Sequence, residues 1–349
     1  MRIAQVAPLH ESVPPRLYGG TERIVSYLTE ELVRQGHDVT LFASGDSRTR
    51  ARLIAGSPRA LRLDPRVVDP LAHHVLLLEQ VFRRAAQFDL VHYHCDYLHF
   101  PFSRRSGLAD VTTLHGRLDL PDLVPLYREF RDRPVISISN DQRGPLPFAH
   151  WLAMVHHGLP PALYRFRGGT GGYLAFVGRI SPEKRVDRAI EIAERAGMPI
   201  RIAAKVDRAD REYFEDAIRP LFDLPDVDYV GEIEEAQKND FLGDASALLF
   251  PIDWPEPFGL VMIEAMACGT PVIAWRRGSV PEVVDDGVSG FVVDDLDGAV
   301  AAVREARELD RAGVRATFDR RFTAQRMADE YLAVYERVLE TADTRARAS

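Results

Sequence analysis

Cysteine is scarce in this 349-residue chain: Cys95 and Cys268 are the only two. That excludes a disulfide framework, gives no metal-ligand spacing, and suits a reduced compartment. Lysine is nearly absent, with only Lys184, Lys205 and Lys238. Histidine stops early, since all 11 lie between His10 and His157. No apolar run reaches the roughly 18 residues of a spanning helix, so membrane association is expected to be peripheral at most. The start, MRIAQVAPLH, lacks the basic and apolar regions of a signal peptide. A cytoplasmic location is the expectation, at most peripheral to the inner face of the membrane. What is there, 46% hydrophobic and 28% charged residues, is the composition of a globular protein.

The length favours two domains over one core. Charge divides the same way. Residues 1–167 hold 21 arginines and no lysine against 17 acids, a net of +4; the remainder is net −12, within a total of −8. The basic half suits an anionic small molecule or a membrane surface, or reflects compositional drift alone. No nucleic-acid partner is expected.

Strand and helix patterns alternate. RIAQVAPL reads as a buried strand. Ile24, Val25, Leu28 and Leu32 then share a helical face that Gly36 ends. HDVTLFA, DLVHYHC, DVTTLH and PVISIS read as further strands. Breakers at 160–172 mark a linker. Alternation resumes with the strands YLAFVGR, PIRIAAK, VDYVGEI, SALLFPI, GTPVIAW and GFVVD. Helices are expected over EKRVDRAIEIAERAG, REYFEDAIRPLF, 235–243, 297–310 and 323–341. Such alternation predicts two α/β domains with parallel sheets, whose ligands lie beyond the carboxyl ends of the strands.

Three motifs stand out. Gly19 and Gly20 precede the first helix, where glycine permits close backbone approach and the helix start favours an anion; a plain turn fits equally. In FVGRISPEKRVD, Arg179 and Lys184 bracket a Ser-Pro helix start. Cations there oppose the helix dipole, which favours a diphosphate ligand over a solvated terminus. In WPEPFGLVMIEAMACGTPVIA, Glu256 leads into a helix expected from about Phe258 to Cys268, and Glu264 lies inside it. The amides of Phe258, Gly259 and Leu260 between them suit a phosphate. The order hydroxyl, phosphate, hydroxyl matches a sugar joined through diphosphate to a ribose, although a capping acid and a surface acid have the same spacing.

GRISPEKRVD, EPFGLVMIEAMACGTPVIA and GSVPEVVDDGVSGFVV, in that order, together with YGGTE and TLHG at 113–116, closely resemble the retaining glycosyltransferase family 4. The resemblance runs over nearly the whole chain. It implies the GT-B architecture: two Rossmann-like domains facing a cleft, with residues 1–165 as acceptor domain, 166–322 as nucleotide-sugar domain, and 323–349 as a helix returning to the first. It implies that Glu256 contacts the donor sugar and Glu264 the ribose hydroxyls, as the two acids of E-x7-E. Arg179 and Lys184 would hold the diphosphate with the Phe258, Gly259 and Leu260 amides. Gly19 and Gly20 would form the nearby glycine loop, and His115 would lie by the reacting sugar carbon.

The resemblance also implies transfer with retention from a nucleotide-diphosphate sugar, UDP- or GDP-linked, to an acceptor hydroxyl on a small molecule, glycan or lipid-linked glycan. No metal or other cofactor is expected, and the acid runs DVD (226–228) and DDLD (294–297) are read as loop acids. A nucleotide-sugar epimerase and an inactive nucleotide-sugar binder share the architecture. Where many members read Asn-Gly-Val-Asp, this chain has His157-Gly158-Leu159-Pro160. Lys205 replaces a frequent glycine and is placed to reach the nucleotide, and Trp254 faces either donor sugar or acceptor, if they are not simply packed. His92 and His94 are read as core or acceptor-side residues.

Overall fold

The computed structural model describes residues 1–16, 19–168 and 172–348. Tyr18 of the YGG motif and residues 169–171 of the expected linker lie outside these. The chain divides into two compact units, one of Met1–Gly158 with Ala324–Ser349, the other Leu159–Thr323.

Unit 1 contains β1 (Arg2–Val6), α1 (Gly20–Arg34), β2 (Asp38–Ser44), β3 (Arg52–Ser57), α2 (Pro70–Phe82), β4 (Leu90–Tyr93), α3 (Phe100–Ser106), β5 (Asp110–Thr113), α4 (Leu123–Glu129), β6 (Pro134–Ser137) and β7 (His150–Met154). The strands form one sheet in the order β3-β2-β1-β4-β5-β6-β7, and every pairing is parallel. Helices cover both faces, so the strands are apolar on both sides. Phe42, Val91 and Tyr93 pack with Leu77, Leu78 and Val81 of α2, while Leu41 and Ala43 pack with Val25 of α1.

Unit 2 contains β8 (Leu174–Arg179), α5 (Val186–Ala196), β9 (Ile200–Lys205), α6 (Arg211–Tyr213), β10 (Val227–Gly231), α7 (Glu235–Gly243), β11 (Ala247–Phe250), α8 (Leu260–Cys268), β12 (Val272–Trp275), α9 (Val280–Val283), β13 (Gly290–Val293), α10 (Leu296–Ala306) and α11 (Arg311–Arg321). Its sheet runs β10-β9-β8-β11-β12-β13, again with parallel pairings throughout. Ile190, Ile202, Leu249, Ile273 and Val303 belong to one core. The chain then returns to unit 1 as α12 (Ala324–Ala348), which packs against α1 and β5.

The expected helix over REYFEDAIRPLF is broken. Three α-helical residues are followed by a π turn, Phe214–Ile218, and a 3-10 turn, Arg219–Asp223. Pro220 explains the break, because it offers no amide to the ladder and its ring crowds the preceding turn. Helix α11 was not anticipated. It starts where the Asp310 carboxylate caps the amides of Ala312 and Gly313. No helix among the described residues is long and apolar enough to cross a membrane.

Sheet order reverses direction between β1 and β4 in unit 1, and between β8 and β11 in unit 2. Open α/β sheets offer ligand space at such points, beyond the carboxyl ends of the strands. In unit 2, Arg179, Lys184 and Glu256 follow β8 and β11; in unit 1, Gly19 and Gly20 come after β1, and His115 after β5.

Candidate functional site

In unit 2, β8 ends at Arg179 and β11 at Phe250. After β8 the chain makes a 3-10 turn, Pro182–Lys184, and Arg185 takes a left-handed conformation (φ 55°) before α5 begins at Val186. The helix therefore starts later than the Ser-Pro pair suggests, and Lys184 sits before it. The amide of Asp253, in the segment after β11, donates to the Glu183 carbonyl at 2.8 Å. This contact sets the two loops side by side.

The result is an ion pair between two residues 72 positions apart: the Lys184 ammonium donates to Glu256 Oε2. The same oxygen accepts from Trp254 Nε1 at 3.0 Å. Lys184 Nζ also lies 5.2 Å from the centre of the Trp254 ring and 5.5 Å from that of Phe250, where the ring quadrupoles favour a cation. Trp254 thus holds the Lys184–Glu256 pair.

Arg179 is held differently. Its guanidinium donates to Glu183 at 2.9 Å and lies 3.5 Å from Asp207, which Lys205 also meets at 2.9 Å. Both predicted phosphate-binding cations therefore carry carboxylate partners.

Helix α8 begins at Leu260, two residues later than expected, because Gly259 precedes it at φ 78°. A Cβ there would stand 2.8 Å from Met262 Cε and 3.0 Å from Phe250 Cζ, so only glycine fits both the dihedral and the space. Amides in the first turn of a helix have no partner four residues back, which leaves those of Leu260 and Val261 directed out of the helix start. Four residues into α8, Glu264 is 2% exposed. Lys238 of α7 donates to both its oxygens, at 2.9 and 3.1 Å. A carboxylate this buried needs such a partner.

Sequence reasoning missed Lys238, though its rarity as one of three lysines was a signal. It also missed Gly278 and Ser279. Ser279 donates from its amide to the Glu256 carbonyl at 3.0 Å and from its hydroxyl to the Phe258 carbonyl at 2.8 Å. Gly278, at φ 55°, passes so close that a Cβ would lie 2.4 Å from Glu256 backbone atoms. Gly278 and Ser279 open the stretch GSVPEVVDDGVSGFVV, which carried the resemblance without a role being assigned to either residue.

In unit 1, Gly19 precedes α1 and Gly20 is its first residue. A Cβ on Gly19 would lie 2.8 Å from the Pro15 side chain, so close packing demands glycine here. His115 follows β5. Its Nε2 is 2.8 Å from His94 Nδ1, its ring stacks on that of His157 with centroids 5.2 Å apart, and burial lowers its pKa to about 3. His157, where the chain departs from Asn-Gly-Val-Asp, is buried, and Arg326 of α12 donates to the carbonyls of His156 and His157 at 2.7 and 3.0 Å. His92 and His94, read as core or acceptor-side residues, are both buried.

The profile described as Glycosyl transferases group 1 matches residues 167–312, and that described as Glycosyltransferase Family 4 matches residues 18–159. D-inositol 3-phosphate glycosyltransferase of Mycolicibacterium smegmatis is 33% identical over 184 residues, covering 50% of this chain and 42% of that protein. Alpha-maltose-1-phosphate synthase of Mycobacterium tuberculosis is 32% identical over 146 residues, covering 38% and 36%. The matches thus span about two fifths of these relatives' lengths.

Among solved structures, AviGT4, a glycosyltransferase involved in avilamycin A biosynthesis, superposes with a TM-score of 0.76 at 24% identity, covering 97% of this chain and 98% of that one. Anabaena Alr3699/HepE in complex with UDP gives 0.72 at 17% identity, covering 99% and 100%. These two likenesses are of fold, the GT-B fold of paired Rossmann-like units. Matched in tandem by the two profiles, one on each unit, the chain belongs to the group 1 and family 4 glycosyltransferases.

Proposed function

We propose that the protein transfers a sugar, with retention, from a nucleoside diphosphate sugar to an acceptor hydroxyl, and needs no metal ion to do so. The observation that carries this reading is the Lys184–Glu256 pair at the carboxyl ends of β8 and β11, with Glu264 on the helix that follows. It supplies a cation for phosphate and two carboxylates for hydroxyls in the order the donor requires. Anabaena HepE, with the same fold, has been solved with UDP and with UDP-glucose, which favours a donor of that class.

On this reading the bond from the sugar's anomeric carbon to the diphosphate breaks first, and the electron pair leaves with the phosphate. Lys184, Arg179 and the first amides of α8 offset the charge that grows on it. The acceptor oxygen bonds to the anomeric carbon on the same face, and its proton passes to the departing phosphate oxygen. Lys184 must exchange Glu256 for phosphate when the donor binds. Glu256, released, is then free to accept a sugar hydroxyl. Glu264, kept in place by Lys238, accepts from the ribose.

The test is a thermal-shift panel of UDP, GDP, ADP and TDP and then their sugars, followed by nucleoside diphosphate release with and without acceptor hydroxyls. Binding should raise the melting midpoint by mass action. A protein that binds none of the four nucleotides would overturn the reading. Turnover of the donor to its epimer without any acceptor would favour an epimerase instead.

A further inference from the structure

Seven side chains of unit 1 form one unbroken line of hydrogen bonds. The Tyr331 hydroxyl meets Thr113 Oγ1 at 3.0 Å, Thr113 meets His92 Nε2 at 2.8 Å, and His92 Nδ1 meets the Tyr335 hydroxyl at 2.7 Å. Gln5 of β1 carries the line onward. Its Nε2 donates to the Tyr335 hydroxyl at 3.1 Å, and its Oε1 accepts from His94 Nε2 at 2.8 Å. His94 Nδ1 then meets His115 Nε2 at 2.8 Å. There the line stops. Among the described residues, His115 Nδ1 is a buried polar atom with no hydrogen-bond partner.

Each link dictates the next. A neutral imidazole has one donor nitrogen and one acceptor nitrogen. The Gln5 oxygen only accepts, so His94 carries its proton on Nε2 and a lone pair on Nδ1. His115 must therefore donate from Nε2, which leaves the lone pair on its Nδ1. Burial holds His92 and His94 well below the ordinary histidine range and His115 at about 3. The line is thus neutral at ordinary pH, and the direction of its protons is its one remaining freedom. Turning the Gln5 amide over would reverse every link and put the proton on His115 Nδ1.

We infer that Gln5, acting through His94, is a positioning residue that holds His115 in the Nε2–H tautomer, so that Nδ1 accepts a hydroxyl hydrogen from substrate. An orphaned buried acceptor is costly unless something donates to it, and a sugar hydroxyl is the donor that the function proposed above supplies. The substrate part of the inference rests on that reading; the tautomer does not.

Long-range proton–nitrogen spectra of the full chain, labelled with nitrogen-15 histidine, read the tautomer directly. The His115 signals are assigned by their loss in His115→Asn. Wild type should show a protonated, pyrrole-type Nε2 and a pyridine-type Nδ1. Gln5→Glu, ionised at pH 8 and able only to accept, should keep that pattern. Gln5→Leu should give averaged shifts from both tautomers. A pyrrole-type Nδ1 in wild type overturns the inference with no variant needed, which covers the case in which Gln5→Leu fails to fold. An unchanged pattern in folded Gln5→Leu removes Gln5 from the role. Once a donor is identified, Gln5→Leu should lower kcat by about tenfold or more at unchanged KM for donor, because a wrongly protonated imidazole is a poor partner in the transition state. Gln5→Glu should restore most of it, and full kcat in Gln5→Leu would overturn the catalytic part. If no donor is turned over, the proposed function fails while the spectra still decide the tautomer.

Discussion

Both units wind an all-parallel sheet between helices, yet they handle buried polarity in opposite ways. Around His92 and His94, unit 1 stores it as neutral imidazoles, hydroxyls and one amide, joined end to end, while its buried carboxyls, such as Glu22 and Asp110, lie outside that line. Unit 2 has no histidine and stores it as lysine–carboxylate pairs, Lys184 with Glu256 and Lys238 with Glu264. A neutral network is sensitive to protons. A charged pair is sensitive to competing ions, and therefore to a charged ligand. The difference can be tested from several directions.

The largest effect should come from acid. His92, His94, His99 and His157 are held well below 6.5 by burial, and His115 at about 3. Below about pH 6.5 the unfolded chain binds protons that the folded unit refuses. Stability is therefore full above that pH and falls as pH drops toward the folded values. Five such groups, at about 1.4 kcal/mol each, should remove roughly 7 kcal/mol by pH 5.5, comparable with the whole stability of a domain. Glu22 and Asp110, whose carboxyls burial raises, offset a part. Trp151 lies in unit 1, and Trp254 and Trp275 in unit 2. Fluorescence of a Trp254→Phe, Trp275→Phe chain, which reports unit 1 through Trp151, should show a transition at higher pH on acidification than a Trp151→Phe chain, which reports unit 2. A unit 2 transition at the same or higher pH would erase the contrast.

Next in size is Lys184→Ala. It should lower transfer by about 100-fold or more, since removing a group that stabilises developing charge costs about 3 kcal/mol. Near wild-type turnover would remove Lys184 from the phosphate site.

The two glutamates should then separate in kind. Glu264→Gln should raise KM for donor by roughly tenfold and weaken nucleoside diphosphate binding alike, as expected on losing a charged hydrogen bond made in both ground and transition states. Glu256→Gln frees Lys184 from its competing anion. It should lower kcat while nucleoside diphosphate binds as well or a few-fold better. Calorimetric titration beside steady-state rates distinguishes them, and equal loss of nucleotide affinity in both would sink the assigned order of contacts.

The smallest expected effect is none at all. Excess EDTA should leave transfer intact, because cations and helix amides offset the phosphate charge. Loss restored by Mg²⁺ or Mn²⁺ would return attention to the acid runs at 226–228 and 294–297.

Much of the fold was readable because parallel strands buried on both faces appear as short apolar runs between breakers. The exceptions are informative. β3 and β7 escaped because RLIAGS and HWLAM mix polar and apolar residues and read as no clean period. Those two strands lie at the ends of the sheet, where one side lacks a neighbour and the demand for apolar residues relaxes. In the candidate site, Glu256, Glu264 and Lys184 were legible from their local motifs. Their partners were not. Lys238 reaches Glu264 from another helix, and Gly278 acts by the absence of a side chain; neither relation has a sequence spacing that marks it. The line from Tyr331 to His115 draws on β1, β4, β5 and α12, and no linear reading joins four elements.

Helix α12 has a consequence for the order of synthesis. Residues 1–158 leave the ribosome first, but Tyr331 and Tyr335, both fully buried in unit 1, come only after the whole of unit 2 has been made. Unit 2 is continuous in sequence and can close its own core as soon as Thr323 emerges. Unit 1 must wait, with His92 and Thr113 facing water in place of the two tyrosines. Nascent unit 1 is therefore the later of the two to mature, although it is translated first.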